Sequence, residues 1–131
     1  MNEGENWLRF AREDLQVAKL VMKEKIYNQV CFHCQQCAEK SLKAWLAAQG
    51  AHIPKTHRMA DLIPLVPATV LGNLKTKLIL FDQFYIPTRY PDALPGSLPM
   101  GLPGKDDAIE TLELAVEILK LIETILAKKS P

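Results

Sequence analysis

Apolar residues recur every three or four positions through most of this 131-residue chain, a spacing that is typical of amphipathic helices. The recurrence predicts long helices over 3–24, 26–49, 68–85 and 106–128, and a short helix over 58–65. No stretch alternates apolar and polar residues convincingly, as a half-buried strand would. The sequence therefore predicts an all-α protein, an antiparallel up-and-down bundle of four long helices plus one short helix.

Segment 86–104 breaks this pattern. Its prolines stand at every fourth position, at 87, 91, 95, 99 and 103. Each proline removes a backbone N–H and fixes φ, so neither a helix nor a central strand can run through the segment. We therefore expect a long proline-rich loop before the last helix, and loops of this length are usually functional or disordered.

Two helix starts carry a local sequence signal. Asn2 with Glu5, and Asp107 with Glu110, have the spacing of a capping box, in which two side chains satisfy the first backbone N–H groups of a helix. We expect Asn2 and Asp107 to be the capping residues.

Composition and charge are those of a globular protein. Apolar residues make up 48% of the chain, charged residues 24%, and the net charge is +1, which excludes a polybasic nucleic-acid binder. We expect one domain over 1–131. Residues 40–89 hold seven basic residues against two acidic ones, a net of +5. If these charges converge in space they would attract phosphate; the alternative is ordinary solvated lysines on separate faces.

The sequence predicts neither a membrane-spanning helix nor a secretion signal. No run without a charged residue exceeds 13 positions, whereas a bilayer-spanning helix needs ~20 apolar residues. The first turn of the chain carries Glu3 and Glu5 where a signal peptide needs an apolar stretch. We expect a cytoplasmic protein that makes no use of a membrane.

Cysteine and histidine residues raise the possibility of a metal site. Cys31, Cys34 and Cys37 have the three-residue spacing seen in iron–sulfur ligation, but they lie inside a helical pattern and have no fourth cysteine. We expect them to be core residues and expect no metal and no cofactor. His57 is a candidate general acid or base, and its alternative role is to cap the short helix.

The most polar candidate site follows the fourth predicted helix. Arg89 offers a planar, permanently charged group that suits phosphate or carboxylate, and prolines on both sides restrict it. Tyr85 and Tyr90 are placed to stack on a base or on the arginine, and Asp92 to orient it. The alternative is that Arg89 and Asp92 form a structural ion pair that holds the loop.

Four segments, in order, give the chain a resemblance to the HEPN domain family (higher eukaryotes and prokaryotes nucleotide-binding). They are an Ala-x-x-Asp-Leu-x-x-Ala segment at 11–18, a helix at 34–44 that is similar to the family's QQAxEKxLKA, a Thr-His pair at 56–57, and an Arg-Tyr-Pro-Asp segment at 89–92. The resemblance implies an all-α bundle that usually dimerises and a nucleotidyltransferase partner, often in a toxin–antitoxin pair.

The resemblance also allows the catalytic motif of the family to be compared with this sequence. Many HEPN domains are metal-independent ribonucleases with an R-x4–6-H motif, whereas here the positions after Arg89 hold Leu94, Pro95 and Gly96, and no histidine follows His57. An arginine stabilises charge but is a poor proton acceptor. We therefore expect a domain that does not cleave RNA.

These observations together predict a HEPN-type module that binds nucleotide or RNA phosphate and works with a nucleotidyltransferase partner. The expected binding residues are Arg89, Lys43, Lys40, Tyr90, Tyr85, Asp92, Gln36 and His57. Two alternatives stay open: an RNA-cleaving toxin with a reworked site, and a protein-interaction subunit without a ligand.

A homodimer is expected from the last predicted helix, because its apolar arc is wider than one bundle face needs. In this interpretation one seam faces the bundle: Ile109, Leu112, Val116, Leu119 and Leu126. The other seam faces a second copy: Leu114, Ile118, Leu121 and Ile125.

Overall fold

A computed structural model describes residues 2–84 and 102–129, and within these residues the protein is helical and has no strand. The α-helices are α1 (Glu3–Lys23), α2 (Tyr27–Ala48), α3 (Met59–Leu62), α4 (Ala68–Leu71), α5 (Leu74–Lys77) and α6 (Lys105–Lys129). Two 3₁₀ helices, Ile63–Leu65 and Leu78–Phe84, follow α3 and α5. The predicted all-α class is confirmed.

The centre of the fold is α2, which packs against α1, α6 and the second 3₁₀ helix. Helices α1 and α2 run antiparallel, since the start of α1 lies against the end of α2. A Cβ added to Gly4 would come within 3.2 Å of the Ala44 carbonyl oxygen, so glycine permits this close approach. The core between the long helices contains Leu8 and Leu42 together with the three cysteines.

Of the two predicted capping boxes, the Asn2 contact of the first is confirmed and the cap of the second is shifted. Asn2 Oδ1 accepts the N–H of Glu5 at 2.8 Å, as expected. At α6 the Gly104 carbonyl accepts the first helical hydrogen bond, from Ala108, while Asp107 Oδ2 accepts the N–H of Gly104 at 3.0 Å. Asp107 therefore reaches back from the third helical position and is not the first residue of a capping box.

The predicted helix over 68–85 is divided into α4, α5 and the second 3₁₀ helix. Gly72 has a φ of 56°, which ends α4 in a conformation that glycine adopts easily. Leu71, Leu74, Leu78 and Phe81 are nevertheless buried, as the apolar spacing predicted. An α-helix and a 3₁₀ helix both return to the same face after three or four residues, so the spacing does not distinguish one helix from several.

The inward face of α6 agrees with the prediction only in part: Leu119 and Leu126 of the predicted inward seam are buried. Ile109 is 38% exposed, and Leu112 and Val116 are only half-buried, whereas Leu114 and Ile118 of the seam assigned to a second copy are buried inside the subunit. Small buried residues set this face: Ala108, Thr111 and Ala115 lie along it. The large residues alone define the apolar arc in the sequence, and the small residues that reach the core add little to that pattern.

The proline-rich segment lies mostly outside the described residues, which resume at 102. No helix in the described ranges is both long and apolar enough to cross a bilayer.

Candidate functional site

A row of polar side chains on α2 is buried. Gln35, Glu39 and Lys43 stand four residues apart, so they share one face of the helix, and all three are almost without solvent contact. Polar groups are buried at a cost unless they find partners. Thr56 and His57, in the segment before α3, lie over this row and supply partners in addition to those within the row.

Glu39 is the centre of the row. Its Oε2 accepts from Lys43 Nζ at 2.9 Å, and its Oε1 accepts from Gln35 Nε2 at 3.3 Å and lies 3.1 Å from His57 Nδ1. The buried carboxylate is thus surrounded by one cation, one amide and one imidazole. This arrangement fixes the orientation of the His57 ring, whose side chain is 42% exposed.

The backbone of the covering segment is fastened to the same row. Lys43 Nζ donates to the Thr56 carbonyl at 2.8 Å, and Gln35 Nε2 donates to the His57 carbonyl at 2.7 Å. The Thr56 hydroxyl accepts the N–H of Arg58 and donates to Asp61. The consecutive carbonyls of Thr56 and His57 point inward, because they accept from the buried side chains of Lys43 and Gln35. Lys55 and Arg58 are exposed beside the half-exposed His57, and residues 55–58 are called the cationic loop below.

Asp82 holds the other side of this loop. Its two carboxylate oxygens accept the N–H groups of Met59 and Ala60 at 2.7 and 3.0 Å, which are the first donors of α3. His57 and Thr56 therefore do not provide the side-chain acceptor for these two N–H groups. Sequence reasoning treated Asp82 only as a charge, because its partners lie more than twenty residues away.

Lys40 belongs to a second cluster between α1 and α2. Its Nζ lies 2.5 Å from Asp14 Oδ2, and His33 Nδ1 lies 3.1 Å from Asp14 Oδ1. All three side chains are partly buried. In the sequence Asp14 is only one position of the Ala-x-x-Asp-Leu-x-x-Ala segment, whereas in the structure it is the anion that Lys40 and His33 share.

The structure describes four of the eight predicted site residues, and it divides these four between two clusters. The first cluster is the buried row with its partners, and it contains Lys43 and His57, which both contact Glu39. It also contains Gln36, whose Nε2 donates to Gln35 Oε1 at 3.0 Å. Lys43 is buried, and its ammonium also lies 5.5 Å from the centre of the Trp7 ring, so the geometry favours an indirect role over phosphate contact. The remaining predicted residues lie outside the described residues: Tyr85, Arg89, Tyr90 and Asp92.

The three cysteines are fully buried in α2. Burial raises the pKa of Cys31 to about 11 and that of Cys37 to about 12, and it raises the pKa of Cys34 further. Such thiols are poor nucleophiles and poor metal ligands because both roles need the thiolate. Among the described residues, no group of three or more histidine, cysteine or acidic side chains could hold a metal ion.

The chain resembles known proteins over nearly its whole length. The chain is 31% identical over 134 residues to MJ1304 of Methanocaldococcus jannaschii, whose name describes it as a candidate toxin, covering 94% of this chain and 88% of that protein. Among solved structures it resembles TT1696 from Thermus thermophilus, with a TM-score of 0.80 and 34% identity, covering 95% of this chain and 98% of that one.

A second solved structure, ST0689, is described as an archaeal HEPN homologue. It matches with a TM-score of 0.70 and 33% identity, covering 95% of this chain and 98% of that one. The family model described as the HEPN domain matches residues 5–125. The chain therefore belongs to the HEPN domain family.

Proposed function

We propose that this HEPN domain is a toxin-like module that binds the phosphate of a nucleotide or RNA at the cationic loop, works with a nucleotidyltransferase partner and does not cleave RNA. The observation that carries the proposal is the buried row of Gln35, Glu39 and Lys43, which holds the loop backbone and the His57 ring from below. A related protein named as a candidate toxin supports the toxin-like part.

The loop has the properties of a preorganised anion site. Lys55 and Arg58 expose their charges, and the His57 ring is held in one orientation by Glu39. The carbonyls of Thr56 and His57 face the core, so these oxygens would not repel a phosphate. A loop that is ordered before binding loses less conformational entropy when the ligand arrives.

Arg89 is the expected additional phosphate contact. It follows Asp82 by seven residues, and Asp82 binds the backbone of Met59 and Ala60 at the edge of the cationic loop. Seven residues span at most ~24 Å, so the connection permits Arg89 to reach the loop. Lys43 acts here as a positioning residue, because it holds the Thr56 carbonyl and Glu39.

One observation favours a second function. A carboxylate that orients a half-exposed imidazole is also the arrangement of a general acid–base pair, and Glu39 and His57 have it. Under this alternative the domain would be an RNA-cleaving toxin in which His57 replaces the histidine missing after Arg89. RNA incubated with the purified protein distinguishes the two functions, since only the alternative predicts cleavage that His57→Ala abolishes.

Binding is tested with ATP and with a labelled 12-nucleotide RNA. Arg89→Ala and Arg58→Ala should each weaken binding about 10- to 100-fold, because a charge-assisted hydrogen bond contributes about 1.5–3 kcal/mol. Lys19→Ala, which removes an exposed charge on α1, is the matched control and should change affinity less than twofold. Equal affinity of all four proteins for both ligands would contradict the proposed site.

The partner is tested separately. Expression of the domain alone should slow growth. Co-expression of a nucleotidyltransferase encoded by the neighbouring gene should restore normal growth, and the nucleotidyltransferase should co-purify with the domain. Normal growth in both cases would contradict the toxin-like part of the proposal. The titrations with ATP and RNA test phosphate binding independently of that result.

A further inference from the structure

A groove lies between α6 and the segment formed by α5 and the second 3₁₀ helix. Its volume is about 490 Å³. Leu80 and the buried Leu114 contribute apolar surface to its lining, and Ile79, also in the lining, is 47% exposed. The groove uses none of the residues of the cationic loop, so it is a separate feature of the fold.

Three glutamates of α6 line the groove. Glu110, Glu113 and Glu117 are exposed and stand three and four residues apart, which places them along one face of the helix over ~10 Å. Within the described part of the chain, none of the three forms a salt bridge. Among the described residues of the lining, Lys77 is the one basic side chain, so this part of the groove has a net negative charge.

The charge and shape together specify the kind of occupant. Ile79 and Leu80 offer apolar surface beside the acidic row, and the row itself is complementary to cations at the same spacing. A helix with basic residues three and four apart beside an apolar stripe complements both. A second copy placed face to face would instead bring two acidic rows together, which costs free energy.

We propose that this groove is the docking site for a basic amphipathic helix of a partner protein. Its apolar stripe packs on Ile79 and Leu80, and its lysines or arginines pair with Glu110, Glu113 and Glu117. The proposal does not depend on phosphate binding at the cationic loop, because the two sites share no residue.

The probe is a 16-residue helical peptide with leucines at three- and four-residue spacing and lysines on both flanks, titrated by fluorescence anisotropy. Wild-type protein should bind it, and binding should weaken as salt rises. The variant Glu110→Gln/Glu113→Gln/Glu117→Gln should lose at least tenfold in affinity. A scrambled peptide of the same composition, which has no apolar stripe, should bind at least tenfold more weakly than the probe.

Two matched controls separate the groove from general charge and hydrophobicity. The variant Glu3→Gln/Glu13→Gln/Glu24→Gln changes the net charge equally at exposed sites on and after α1 and should retain affinity within threefold. Ile79→Ser should weaken binding, whereas Leu65→Ser, at an equally exposed leucine, should not. Equal losses in the two triple variants would overturn the proposal. No binding to wild type, or a dimer that Ile79→Ser dissolves, would also overturn it.

Discussion

At the scale of single residues, the site depends on how one buried carboxylate is satisfied. Glu39 has partners from its own helix, Gln35 and Lys43, and one from the covering loop, His57. A buried ion pair contributes little net free energy compared with apolar packing, but loss of one member leaves an uncompensated charge. The cluster is therefore better explained as a device that fixes the loop than as a source of stability.

The first prediction concerns Lys43. Lys43→Met should lower the free energy of unfolding by about 3 kcal/mol, because Glu39 then stays buried without its cation. Lys40→Met is the matched control: its ion pair with Asp14 is only partly buried, and we expect a loss of about 1 kcal/mol or less. Urea unfolding measures both. The double variant Lys43→Met/Glu39→Leu should recover part of the loss, and a strictly additive loss would contradict this account.

The second prediction concerns the buried thiols and alkaline pH. In the folded state the pKa of Cys37 is raised to about 12, whereas an unfolded thiol titrates near 9. Between these values the folded protein keeps a proton that the unfolded chain releases, so stability is complete below pH 9 and falls as pH rises towards 12. At pH 10 the loss is about 1.4 kcal/mol per thiol.

The measurement is the free energy of unfolding from pH 8 to pH 10.5 in wild type and in Cys37→Ala. Cys37→Ala should have a lower stability at pH 8, because a buried side chain is shortened, but a shallower decline above pH 9. Parallel declines in the two proteins would show that the Cys37 thiol ionises equally in both states.

At the scale of elements, the loop and α3 are stabilised by groups distant in sequence. A four-residue helix such as α3 is too short to be stable by itself. Its first N–H groups are accepted by Asp82 from the second 3₁₀ helix, and the residues before it are held by Gln35 and Lys43 from α2. The cationic loop thus has its position fixed by two separate elements.

The third prediction concerns Asp82. Asp82→Ala should lower the free energy of unfolding by about 1–2 kcal/mol, the range for loss of a capping side chain. Amide hydrogen exchange of residues 56–60 should become faster, while exchange in α1 stays unchanged. Gln83→Ala, at the exposed neighbouring position, is the control and should have neither effect. Unchanged exchange at 56–60 in Asp82→Ala would show that the loop is held without this contact.

The same elements show what the sequence could predict. The bounds of α1, α2 and α6 agree with the predicted ranges within about two residues, because helical spacing is a local property. Gln35, Glu39 and Lys43 look like a solvent-facing row in the sequence, and they are buried by tertiary contacts that include the covering loop. A hydrogen bond between residues 18 positions apart, such as that from His57 to Glu39, leaves no periodic signal.

At the scale of the whole molecule, the expected homodimer needs a different surface from the one that the sequence suggested. Leu114 and Ile118 are buried within the subunit, so they are not available to a second copy. Helix α1 carries three large apolar side chains that are exposed to solvent: Phe10, Val17 and Leu20. They stand seven and three residues apart, which places them on one face.

The fourth prediction is that two copies associate through this face of α1. Leu20 is 54% exposed, and burial of such a stripe against its symmetry mate is the commonest way to cover it. Light scattering at micromolar concentration should give twice the chain mass of 14.7 kDa. Leu20→Glu should give the single-chain mass with an unchanged far-ultraviolet circular dichroism spectrum.

Leu65→Glu, at an exposed leucine on another element, is the control and should remain dimeric. A wild-type mass of 14.7 kDa would refute the dimer, and a dimer that survives Leu20→Glu would place the interface on another face.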